Sequence, residues 1–208
     1  DEEYKKLLKQ FHKLSDRHIL VVETDMPYSD VLKVVILSDK IRKAGNELVS
    51  FMRKNYDQLI RTKKYRKLLK LYGSTKDKKK RKDLADQLNE MQKAYNVTWD
   101  YCRKSMIPIG KKYGIDAVFA LTKAEDVWRG IENCLYGNGK AIHFSKYGEL
   151  PCIRAKQINR GIPISVKDDR LQFKLGKTAF GIQVNDRFQQ DEVDAILTYL
   201  TEPEIVDS

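Results

Sequence analysis

No run of about 18 apolar residues occurs in this chain, so the sequence offers no membrane-spanning helix. A hydrophobic signal segment is also missing, and the chain opens at Asp1 rather than Met, as a processed or partial product would. Cysteine is scarce: Cys102, Cys134 and Cys152 are odd in number, widely spaced and without a C-x-x-C pair. That pattern argues against both a disulfide framework and a zinc site, and it reads as reduced, mostly buried thiols in a cytosolic compartment. Histidine is limited to His12, His18 and His143, with no assignable serine or cysteine partner, so a catalytic triad is unsupported. No G-x-x-x-x-G-K-[ST] loop occurs, and Gly137-x-Gly139 has too few glycines for a dinucleotide fingerprint.

Acid is what the middle of the chain has little of. Between Arg61 and Lys82 there are twelve Lys or Arg and one acid, Asp77. From Ser38 to Lys112 the count is 22 basic against 8 acidic, an excess of 14 that is larger than the net charge of +11 for all 208 residues. A solvated helical surface is the bland explanation. A polyanionic partner is the sharper one, because Lys and Arg that contact phosphate gain free energy from counterion release. Lys63, Lys64, Arg66, Lys67, Lys78, Lys79, Lys80 and Arg81 are the candidate contacts.

Periodicity divides the chain. Residues 1–30 form a leader with helical spacing at Tyr4, Leu7, Leu8, Phe11 and Leu14, an apolar run at 19–22 that could be a strand, and a loop at 26–30. Val31 to Leu37 is rich in β-branched residues and reads as a strand, with Ser38 and Asp39 offering a cap for a following helix. An amphipathic helix of about six turns is expected from Ile41. A shorter one runs from Lys63 to Tyr72 and stops at Gly73-Ser-Thr75, and a long one runs from about Asp77 to Pro108. Thr122-Lys-Ala-Glu125 matches a capping box, predicting a helix start there and an end at Gly137-Asn-Gly139, where the glycines permit left-handed backbone. Trp128 on that helix reads as core. Residues 162–166, 170–175 and 178–184 alternate with period two and predict a small antiparallel sheet or part of a barrel. Residues 186–208 are acidic, with a short helix. Asp186, Asp191, Glu192 and Asp194 lie there, and being carboxylates does not by itself make them a two-metal site.

Between helices and strands lies a polar connector, residues 143–161. In it Arg154 and Arg160 suit phosphate or guanine, Lys156 supplies a point charge, and Gln157 and Asn159 suit adenine. The competing view is a solvated loop pinned to the sheet by Ile153, Ile158 and Ile162.

Several short motifs in this part of the chain form a pattern: Tyr113-Gly-Ile115, the Trp128 helix, Leu135-Tyr-Gly-Asn-Gly-Lys140, His143-Phe144, and Ile153 to Ile162 with Lys156-x-x-Asn159-x-Gly161-Ile162. Residues 31–200 thereby resemble the N-terminal half of transposon-encoded RNA-guided nucleases, the TnpB proteins, and their compact type V CRISPR relatives. The resemblance implies an α+β fold: a small antiparallel wedge (WED) β-barrel interrupted by a helical recognition (REC) insertion. Its first barrel strand would be 31–37, the insertion 38–140 and the remaining barrel 141–185. Guide RNA and target DNA would be the partners, with base pairing reading the sequence and the protein reading backbone shape. It also implies a bacterial, nucleoid-associated cytoplasmic setting. No catalytic residue or cofactor is expected in this chain, since Mg2+ would serve only a RuvC domain that these residues do not contain. Residues 1–30 have no counterpart in the family. A stand-alone, nuclease-less binding repressor ending near Ser208 is the alternative, and a basic scaffold for protein or anionic lipid is a third.

Overall fold

The computed structural model describes residues 27–137, 139–155, 161–167, 170–175 and 178–181. Five helices come first: α1 (Tyr28–Arg61), α2 (Lys63–Ser74), α3 (Lys78–Ala94), α4 (Trp99–Tyr113) and α5 (Ala117–Tyr136). Three short strands follow, β1 (Ile164–Lys167), β2 (Arg170–Leu175) and β3 (Thr178–Gly181), in the order β1-β2-β3. β1 and β2 are antiparallel, with Ile164 opposite Phe173 and Val166 opposite Leu171. The helical body comprises residues 27–163 with 174–178, while 164–173 fall in a second compact unit.

This architecture corrects the expected barrel. The described residues are mostly helical, their strands form only a hairpin extended by β3, and no barrel closes among them. Residues 31–37, expected as the first barrel strand, are the opening turns of the 34-residue α1. The reason is visible in the spacing. Val34, Leu37, Ile41, Ala44, Leu48 and Met52 recur at three and four residues and make one continuous stripe, so the helical period overrides the β preference of single branched residues. Ser38 lies within that stripe and is buried, and its hydroxyl donates to the Pro151 carbonyl at 2.8 Å instead of capping a helix.

Two other helix boundaries differ from expectation. The long helix foreseen from Asp77 to Pro108 is two helices, α3 and α4. Asn96 between them has φ of 58°, and the Thr98 hydroxyl accepts the Tyr101 N–H at 3.2 Å as N-cap of α4. Pro108 sits inside α4, on its exposed side. The helix foreseen at Thr122 begins at Ala117, capped by Asp116, whose carboxylate accepts the Val118 N–H at 2.9 Å. Thr122 is buried mid-helix and donates back to the Val118 carbonyl at 2.8 Å, the alternative that a threonine hydroxyl has inside a helix. That helix does end at Tyr136. Gly137 has φ of −110°, however, so its glycine is required by the close approach of Asn133 and not by a left-handed turn. The left-handed cap belongs to Gly114, with φ of 62°, closing α4.

The core lies where α1, α4 and α5 pack on one another. Leu48, Met52, Cys102, Met106 and Ile131 are fully buried there, and Trp128 packs on the edge, as expected for a core residue. Burial of each such side chain contributes about 1.5–3 kcal/mol relative to exposure. The connector 139–155 runs without helix or strand and is tied to α1. Asn46 Nδ2 donates to the Ser145 carbonyl and the Ser145 N–H donates to Asn46 Oδ1, both at 2.9 Å.

All three cysteines are free. Cys102 is buried, and burial pushes its thiol up to about 12. Cys152, expected among buried thiols, is exposed.

α1 and α4 are also latched at the surface. The Glu47 carboxylate accepts from Lys112 Nζ at 2.7 Å and from the Tyr113 hydroxyl at 2.9 Å, and these donors hold it below the usual carboxylate range. A depressed carboxyl contributes stability above its unfolded pKa and loses it as pH falls through the folded one. Replacing Glu47 with Gln is therefore expected to lower stability near neutrality and to have a shrinking effect in acid. Chemical denaturation of both proteins across pH checks this; a difference that does not change with pH would contradict it.

Candidate nucleic-acid interface

The basic residues between Arg61 and Lys82 fall on two helices joined by a short turn: α2 carries Lys63, Lys64, Arg66 and Lys67, and α3 opens with Lys78, Lys79, Lys80 and Arg81. The two helices pack together, with residues 75–77 between them. Their inner faces are small. α2 buries Tyr65 and Leu68, and α3 buries Leu88 and Gln92. All eight cations are exposed.

Charge on this hairpin is not internally compensated. Among the described residues, none of the twelve Lys and Arg between 61 and 82 forms an ion pair, whereas cations elsewhere do so readily. Arg42 and Lys43 share Asp39, Lys104 pairs with Asp100, and Lys112 with Glu47. Asp77, the single acid, is occupied in capping: its carboxylate accepts the Lys79 and Lys80 N–H groups at 2.9 and 3.3 Å. Four cations thus occupy the first turn of α3, the end where the helix dipole is already positive. Such a surface attracts anions and repels itself.

Two features of this hairpin were not evident in the sequence. Arg81 stacks over the Tyr72 ring, with its guanidinium carbon 4.7 Å from the ring centroid. Tyr136 of α5 donates to Gln92 Oε1 at 2.7 Å, and Gln92 Nε2 donates to the Tyr65 hydroxyl at 3.3 Å. This chain of side chains ties the hairpin to α5. Burial raises the Tyr65 hydroxyl's pKa, so it stays protonated. Tyr65 and Tyr72 share a heptad spacing that places them on one face; their partners come from other helices, which no local spacing announces.

Elsewhere the expected contacts fare differently. Arg154 lies in the connector, beside α5, and is committed to an ion pair with Asp126 that also raises its own pKa. It is not part of the hairpin surface. Lys156, Gln157, Asn159 and Arg160 lie outside the described residues, as do the acids from Asp186 onward and residues 1–26 of the leader; residues 28–30 of the leader, expected as loop, open α1. His143 is exposed. Among the described residues, no group of three or more His, Cys, Asp or Glu could hold a metal ion, and no helix is long and apolar enough to cross a membrane.

Because Asp77 both caps α3 and offsets its cations, Asp77→Ala is expected to cost about 1 kcal/mol of local stability, the usual worth of an N-cap. Amide hydrogen exchange should quicken over residues 78–82; unchanged exchange there would mean that the cap contributes nothing. A scan against protein-family models finds no match to this chain, and comparisons with curated proteins and with solved structures find none either.

Proposed function

We propose that this chain binds nucleic acid, with the exposed cations of α2 and α3 contacting phosphates. The observation that carries the proposal is the hairpin itself: eight Lys and Arg brought onto two packed helices, all exposed and none in an ion pair among the described residues. Folding such a surface accumulates repulsion that a polyanion relieves, and release of condensed counterions supplies the affinity. Binding, and not chemistry, is the role these side chains suit.

The resemblance to TnpB-like RNA-guided nucleases supplies a finer form of the proposal. Guide RNA and target DNA would then be the polyanions, in a bacterial cytoplasm beside the nucleoid, with cleavage left to a Mg2+-dependent domain. That form rests on the motifs between Tyr113 and Ile162. The helical course of residues 31–37 lends it no support.

A fluorescence-anisotropy titration of the chain against structured RNA at several salt concentrations tests the coarser proposal. The expected logarithmic plot of affinity against salt is steep and linear. Replacing Lys63, Lys67, Lys78 or Lys79 singly with Ala should lower its slope by about 1 each. Binding that is absent, or indifferent to salt, would contradict the proposal.

A further inference from the structure

Where α2, α3 and the end of α5 meet, a cleft of about 460 Å³ opens, lined among others by Tyr65, Tyr72, Arg81, Leu88, Leu135 and Tyr136. This volume lies in the range of about 300–1,000 Å³ in which proteins hold small molecules. We infer that the cleft receives one unpaired nucleobase of a single-stranded nucleic acid, stacked on the Tyr72–Arg81 pair. The inference rests on the proposed phosphate binding and adds to it the form of nucleic acid that the surface selects.

Arg81 is the first reason. Four cations lie over aromatic rings among the described residues, and three of them also have a carboxylate. Arg42 over Tyr147 pairs with Asp39, Arg53 over Phe144 with Asp57, and Lys112 over Tyr113 with Glu47. The Arg81 guanidinium over Tyr72 has no ion pair or side-chain hydrogen bond among the described residues. The guanidinium lies over the ring, and both guanidinium and aromatic planes are surfaces on which splayed-out bases stack.

The back of the cleft is the second reason. Tyr65 is 2% exposed and its hydroxyl accepts from Gln92, but its own proton has no protein acceptor among the described residues. Buried polar hydrogens normally find a partner. An acceptor on the edge of a base is one group that can take that proton; an apolar side chain is not. Leu88 and Leu135 supply apolar walls, while Tyr136, 61% exposed, stands at the rim.

Charge selects the class of ligand. A planar ring with polar edges describes many molecules, but the surrounding residues 61–82 carry twelve cations and one acid, which suits a ring attached to phosphates. A paired base in duplex cannot enter without leaving its stack, whereas an unpaired one can.

The test compares the full chain's affinity for a short oligoadenylate RNA and for an abasic oligomer of the same length, which keeps the phosphates and lacks the bases. The expected preference for the oligoadenylate is about tenfold. Arg81→Lys keeps the charge at an exposed position and removes the planar guanidinium; it should collapse the preference. Tyr72→Ala, at a residue outside the proposed phosphate contacts, should collapse it too while leaving the abasic affinity unchanged, and Tyr72→Phe should retain the preference. Equal binding of both oligomers by the unaltered chain, or a preference that survives Arg81→Lys and Tyr72→Ala, would overturn the pocket and leave phosphate binding standing. Failure to bind either oligomer would overturn both.

Discussion

The apolar stripe of α1 is the constraint on which the rest of the body depends. Ala44, Leu48 and Met52 are wholly buried, and they draw α4 and α5 against one long helix. That packing gives the connector a surface to follow, through Ser38 and Asn46, and it holds the end of α5 where Tyr136 can reach Gln92. With the core placed there, the α2–α3 hairpin needs few buried residues of its own. It can be thin and strongly charged because the three-helix core supplies cohesion.

A charged hairpin fastened by few contacts has opposing demands. Like charges on neighbouring turns repel by a few tenths of a kcal/mol per pair, and cations at the start of α3 oppose its dipole. Asp77 offsets part of this by capping, and the Tyr136–Gln92–Tyr65 chain fixes the hairpin from the other side. Elsewhere on the body the same difficulty is met with carboxylates, as at Asp39, Glu47 and Asp100. Among the described residues it is left unmet over residues 61–82, which is the feature the proposed binding of a polyanion rests on.

Much of the hairpin is legible in the sequence, since its charge and the helix stop near Gly73 are properties of contiguous residues. α2 begins at Lys63 as expected and ends at Ser74, two residues past the expected Tyr72; β2 falls at 170–175 as period-two alternation puts it, while β1 is 164–167 against the expected 162–166. The failures share a cause. β-branched content over the seven residues 31–37 favours a strand, while the stripe that decides the structure runs on to Met52. Thr122 and Glu125 satisfy a capping pattern, but Asp116 reaches the helix first, and a local motif cannot tell which of two caps is used. The cleft was hidden for a different reason: Tyr72, Arg81 and Tyr136 meet only after three helices pack. Arg154 looked free in the sequence and is held by Asp126, 28 residues away.

Hydrogen–deuterium exchange of the full chain, with and without single-stranded RNA, tests the central claim most directly. The account predicts that bound RNA slows exchange mainly over residues 63–82, with little change in α4. Binding accompanied by protection confined to other parts of the chain, leaving 63–82 unaffected, would contradict it.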